Sequence, residues 1–139
     1  MDGITIREAR PDDCTHLLDL WQLVSSGSPI TDTVEHLRMI IDRNGKLLLV
    51  AEMQGQIVGT VLGGWDLWRG HIYRLAVHPE RRHRGIARSL VQEIKVRLEK
   101  KGARRIYALA YSGEGLNFWR STDFEPTMDC AFVRNIGLG

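Results

Sequence analysis

From His71 to Ala110 the chain carries an alternation of patterns that few arrangements can satisfy. His71 to Val77 reads as a strand, and Arg82-His83-Arg84-Gly85-Ile86-Ala87 as a basic loop. Ala87, Leu90, Val91, Ile94 and Leu98 then recur at helical spacing until Lys101-Gly102, and Arg105 to Ala110 reads as a strand again. Two strands joined through a helix lie parallel. The loop between the first strand and the helix is also a device for holding phosphate. The first helical turn has four N–H groups without partners, and the macrodipole adds partial positive charge there. Gly85 lets the backbone approach a bulky anion, and Ala87 keeps the next turn lean. Arg82, Arg84 and Arg88 supply neutralising charge. The expected ligand is a pyrophosphate.

The rest of the chain frames this unit. Ile4 to Glu8 reads as a first strand, and Pro11 with two aspartates starts a helix whose apolar positions Leu17, Leu18, Leu20, Trp21 and Val24 fall mainly on one face. A loop follows at 25–29, and Thr31-Asp32 opens a second helix with Asp32 and Glu35 as a capping pair and Asn44-Gly45 as its stop. Lys46 to Met53 and Gln56 to Gly63 form a hairpin turned by Gln54-Gly55. Gly64 to Gly70 is a turn carrying Trp65 and Trp68. After the fifth strand, Gly115 to Arg120 is a short helix and Phe124 to Ile136 supplies one or two closing strands. The order is α+β: an antiparallel front half, then one strand–helix–strand crossover. With 139 residues, 43% of them hydrophobic, the expectation is one domain over 1–139. No apolar run approaches a membrane span and no signal segment opens the chain, so no membrane association and a cytoplasmic location are expected. Cys14 and Cys130 fit no metal or redox spacing and read as two buried, reduced thiols; no metal is expected.

Two common phosphate motifs are excluded. A P-loop needs lysine followed by Ser or Thr after its second glycine, and a dinucleotide fingerprint needs three spaced glycines where this loop has one. Arg81 to Arg105 holds ten Lys or Arg against Glu93 and Glu99, so the rest of a chain of net charge +2 is acidic. The basic segment suits a ligand with several phosphates, and the acidic remainder suits a cationic amine. Nucleic-acid binding competes for the same arginines but lacks aromatic interleaving, and no nucleic-acid partner is expected.

The loop resembles the Arg/Gln-x-x-Gly-x-Gly/Ala signature of the GNAT superfamily of acyl-CoA-dependent N-acetyltransferases. Tyr73-Arg74-Leu75-Ala76-Val77-His78-Pro79-Glu80 is similar to that family's fourth strand and the turn after it, and Ile4–Glu8 with Arg10-Pro11-Asp12-Asp13 to its opening. The resemblance implies a three-layer fold. Its sheet would be mixed and mostly antiparallel, of six to seven strands with about four helices, strands 4 and 5 parallel and splayed. It implies acetyl transfer from acetyl-CoA, without a metal, to a primary amine of a peptide or small molecule by direct attack. Backbone contacts to the cofactor would come from Leu75, Ala76 and Val77, one of their amides lying near the thioester carbonyl, and phosphate contacts from Arg82, His83, Arg84, Gly85, Ile86, Ala87 and Arg88. His71 stands where several members place a general-base glutamate, and strand alternation puts Tyr73, Leu75 and Val77 on its face. Glu52 and Asp66 are weaker candidates, and His78 reads as structural. Two positions depart from the pattern. Trp119 stands at the family's thiolate-protonating tyrosine, with Asp123 for the following glycine, and Ser112 replaces a frequent asparagine. The acid role then passes to Tyr111, Tyr73 or water. An acyl-CoA-binding sensor or interaction module without catalysis is the alternative. The resemblance also admits a homodimer.

Overall fold

Leu47 to Ala51 is apolar at five consecutive positions because the strand it leads into is covered on both faces. The computed structural model describes residues 3–24, 30–110 and 114–137. Among them, five strands form one sheet: β1 (Ile4–Glu8), β2 (Leu48–Met53), β3 (Gln56–Trp65), β4 (Gly70–Val77) and β5 (Ile106–Ala108), in spatial order β1-β2-β3-β4-β5. All pairs are antiparallel except β4 with β5. Helices α1 (Cys14–Val24) and α2 (Val34–Asn44) cover one face; α3 (Ile86–Lys101) and α4 (Glu114–Arg120) cover the other. Leu47, Leu49 and Ala51 join the layer under α3, with Val61, Ile72, Leu90, Ile94, Leu98 and Trp119. Leu48 and Val50 join the layer under α1 and α2, with Leu17, Leu20, Trp21, Leu37 and Ala76. Each fully buried leucine here contributes about 1.5–3 kcal/mol.

The long helix packs closely on the sheet at two glycines of β3. Ile86, Leu90 and Ile94, spaced by four along α3, form a ridge above Gly59 and Gly63 of β3. A Cβ on Gly59 would come within 2.9 Å of Ile86 Cγ2, and one on Gly63 within 2.9 Å of Ile94 Cδ1. Both ends of α3 are set by residues in the left-handed region: Gly85 at φ +80° before it, Gly102 at φ +112° after it. The Gly102 N–H closes the last turn on the Leu98 and Glu99 carbonyls.

Several expectations change at this stage. The sheet has five strands, where six to seven were expected: residues 121–137 contribute none, and Met128, Phe132, Val133 and Ile136 are all strongly exposed. β5 is three residues long and offers too few ladder positions to seat a further strand. Phe124 alone of that segment's apolar residues reaches the core, edge-to-face with Trp119 at 4.8 Å. Thr33, not Asp32, caps α2; its hydroxyl accepts the His36 N–H at 3.1 Å. Asp32 is engaged elsewhere. Cys14 is buried and Cys130 exposed, so the reading of two buried thiols holds for only one.

Candidate functional site

β4 changes character halfway along. Thr60 of β3 faces Ala76 and Leu62 faces Tyr73, so two steps on β3 span three on β4. The extra residue is accommodated at Arg74, whose φ is +46°. Because side-chain direction has a period of two, one inserted residue reverses every position after it. Ile72, Leu75 and Val77 therefore pack toward α3, while Ala76 packs toward α1 and α2. His71 and Tyr73 share a face, their rings stacked at 5.7 Å, but Leu75 and Val77 lie on the opposite one. The expectation of four residues on one face fails for this reason. The Arg74 guanidinium donates to Asp32 at 2.5 Å, both side chains 13% exposed, and lies 5.2 Å from the Trp21 ring.

β4 also loses its parallel neighbour early. Gly70, His71 and Ile72 pair with Ile106, Tyr107 and Ala108, and the Leu109 N–H donates to the Ile72 carbonyl at 3.1 Å. Beyond Ile72, no strand among the described residues lies along that edge of β4, which contains the expected backbone contacts Leu75, Ala76 and Val77. The chain then passes through one 3-10 turn, Pro79–Arg81, where His78 Nδ1 accepts the Glu80 N–H at 3.1 Å. His78 is a structural cap. In the loop His83 has φ +65°, and His83, Arg84 and Gly85 are exposed while Arg82 is half-buried. No side chain caps α3 and its first turn holds no acidic residue. Ile86 is buried in the core, so only its backbone can meet a ligand, and Ala87 is half-buried. Arg88 reaches across to the end of α4, donating to the Ser121 hydroxyl at 3.0 Å and carbonyl at 3.3 Å.

At the other end of β4 three rings form a stack, His71 lying 5.7 Å from Tyr73 and 6.0 Å from Tyr107. Asp66, in the β3–β4 turn, approaches His71 Nε2 with Oδ2 at 3.4 Å. Its Oδ1 accepts the Trp68 N–H at 2.9 Å and the Arg69 N–H at 2.7 Å. These two amides hold the Asp66 carboxyl below its ordinary range, His71 adding to the effect. Burial, with the Asp66 charge, pushes the Tyr73 phenol above its usual range and keeps it a proton donor near neutral pH. Arg69 and Arg105 both donate to the Tyr107 hydroxyl, at 2.7 and 3.1 Å. Tyr107 carried no motif in the sequence; only the parallel register, opposite His71, reveals it.

The remaining acids and aromatic side chains lie elsewhere. Glu52 is bound to Arg7 at 2.7 Å, at the far side of the sheet. Trp21 is core, Trp65 is half-buried beside Gly102, and Trp68 is exposed under the Arg69 guanidinium at 3.9 Å. Trp119 is 8% exposed, wedged between Phe118 and Phe124. Tyr111 and Ser112 lie outside the described residues.

Comparison with known proteins bears on the whole arrangement. Residues 14–120 match the model of the acetyltransferase (GNAT) family. An acetyltransferase of Pectobacterium atrosepticum is 33% identical over 127 residues, 90% of this chain and 89% of that protein. One of Photorhabdus laumondii is 38% identical over 101 residues, 73% and 71% of the two chains. Among solved structures, Ard1 of Thermoplasma volcanium superposes with a TM-score of 0.79 at 18% identity, covering 90% and 84% of the chains. A Clostridium acetobutylicum acetyltransferase solved with acetyl-CoA gives 0.76 at 18% identity, covering 94% and 96%. At that identity the structures speak to the fold alone, which they share with this chain. The family model spans α1 to α4, both sequence relatives exceed 30% identity over more than two thirds of the chain, and the chain belongs to the acetyltransferase (GNAT) family.

Proposed function

We propose that this enzyme transfers an acetyl group from acetyl-CoA to a primary amine by direct attack, without a covalent enzyme intermediate. The observation that carries the reading is the edge of β4 beyond Ile72, without a strand neighbour among the described residues and leading into the N-terminus of α3, which no side chain caps. Main-chain groups of Leu75, Ala76 and Val77 fit the pantetheine arm as an added strand, and an amide there fits the thioester oxygen. The amides of Gly85, Ile86 and Ala87, with Arg82, His83 and Arg84 around them, fit the pyrophosphate. Acetyl-CoA bound there supplies the acyl group as a thioester.

His71 takes the proton of the attacking amine, directly or through one water, and Tyr73 beside it is the protonated group able to give a proton to the departing thiolate. A thiol of ordinary pKa near 8.5 leaves tolerably even without that proton, so burial of Trp119 at the family's tyrosine position does not abolish turnover. Proteins of the same fold include a ribosomal-protein-alanine N-acetyltransferase of Brucella melitensis and an aminoglycoside acetyltransferase solved with sisomicin. The reading keeps the protein without a metal, a nucleic-acid partner or a membrane, in the cytoplasm.

Titration calorimetry with acetyl-CoA on the wild type and on Gly85→Glu tests the cofactor half. Micromolar binding that the variant loses supports it; no wild-type binding refutes it. Turnover on an alanyl peptide, Nα-blocked lysine, spermidine and an aminoglycoside tests the acceptor half, with His71→Gln expected to lower kcat. Binding without turnover on any of them would favour the sensor.

A further inference from the structure

We infer that Asp66 is a positioning residue: it fixes the His71 tautomer with the proton on Nε2 and so makes Nδ1 the atom that accepts the proton of the amine. The inference rests on the proposed role of His71 as base and adds the device that prepares it.

The geometry points to a preset imidazole. Tyr73 and Tyr107 flank its ring on two sides at 5.7 and 6.0 Å, with interplanar angles of 15° and 25°, which hinders turning about χ1. The edge of the ring is then governed by the turn. Asp66 Oδ1 is pinned by the Trp68 and Arg69 amides, which directs Oδ2 at His71 Nε2. An ionised carboxylate only accepts hydrogen bonds, so Nε2 must be the donor, and in neutral imidazole the lone pair is left on Nδ1. The cations nearest this group, Arg69 and Arg105, are directed onto the Tyr107 hydroxyl and leave the Asp66 Oδ2 contact to His71. Hydrogen bonding of this kind, behind a ring nitrogen, is how second partners set which nitrogen reacts.

The pinned oxygen makes the inference testable by one atom. In Asp66→Asn the side-chain oxygen takes the place of Oδ1, because two N–H donors face it, and the amide NH2 takes the place of Oδ2. Nε2 must then accept, and the ring proton moves to Nδ1. The experiment is a two-bond proton–nitrogen correlation on the histidine-labelled full chain at pH 8, with His71→Gln assigning the resonance, alongside kinetics on the best amine of the panel. The expected result is Nε2–H in the wild type and Nδ1–H in Asp66→Asn. With it, kcat falls about 100-fold, the scale of a lost general base, the KM for acetyl-CoA stays within about twofold, and Asp66→Glu recovers part of the loss. Nδ1–H in the wild type, or an unchanged tautomer in Asp66→Asn, overturns the inference. An inverted tautomer with wild-type kcat also overturns it as a statement about catalysis. A wild-type kcat in His71→Gln refutes instead the base on which it rests, and the nuclear resonance result separates the two failures.

Discussion

Gly85 and Gly102 bracket the same helix in the same left-handed conformation, at φ +80° and +112°, yet only Gly85 stands at the proposed phosphate site. Replacing each by alanine separates backbone strain from ligand contact. A Cβ in this region costs about 1–2 kcal/mol, part of it recovered because alanine restricts the unfolded chain. At Gly102 the new Cβ meets Trp65 at 3.7 Å, an ordinary contact, so no clash adds to the strain. With an unfolding entropy of about 2.1 cal/mol/K per residue, a chain of 139 residues loses about 3–7 °C of Tm for that cost. Both variants should therefore melt a few degrees below the wild type, by similar amounts. Calorimetry should then divide them. Gly85→Ala forces the loop backbone away from the anion and weakens acetyl-CoA binding at least about tenfold, since a charge-assisted hydrogen bond is worth about 1.5–3 kcal/mol. Gly102→Ala leaves Kd unchanged. Equal losses of affinity in the two variants would show that Gly85 acts through helix stability alone and would refute its place at the phosphates.

Gly63→Val should destabilise the fold by about 1–3 kcal/mol in denaturant titration, because its Cβ would lie 2.9 Å from Ile94. Asp32→Ala leaves Arg74 without its mostly buried partner; a loss of about 2 kcal/mol, between surface and buried ion pairs, is expected from chemical denaturation. Burial of Asp13 raises its carboxyl pKa, but the Arg7 side chain and the Arg10 N–H outweigh this, and the net shift is downward. A depressed folded pKa contributes stability that is complete above the unfolded value of about 3.9 and is lost as pH falls through the folded one. Urea midpoints measured from pH 6 to pH 2 should fall along that course, and Asp13→Asn should flatten the fall.

The crossover was the most legible part of the chain, because a helical period between two strand periods leaves one topology open. Gly85 and Gly102 as the limits of α3, and the Gln54-Gly55 turn, were legible for similar reasons: each position needs a conformation that few residues accept. The faces of β4 were not. Alternation assumes an uninterrupted strand, and nothing in Tyr73-Arg74-Leu75 announces that Arg74 adopts positive φ. Asp32 read as a helix cap because capping is a local property, whereas its partner Arg74 is 42 residues away. The surroundings of His71 were partly hidden in the same way. Asp66 was in view as an acid near the strand, but its aim depends on the two turn amides, and Tyr107 enters only through the parallel register. The closing strands were over-read from the apolar residues of 124–136, which mostly lie in solvent.

The irregular residue in β4 has a consequence for how such a chain can vary. Upstream of Arg74, the side chains of His71 and Tyr73 answer to one layer; downstream, Leu75 and Val77 answer to the other. One strand thus carries two independent tenants. Substitution at 71 or 73 can explore new chemistry without disturbing the apolar layer beneath α3, and repacking at 75 or 77 leaves the reacting face alone. Regularising the strand at 74 without removing a residue would turn Leu75 and Val77 onto the face of His71 and Tyr73, whereas deleting residue 74 would leave each set on its own face.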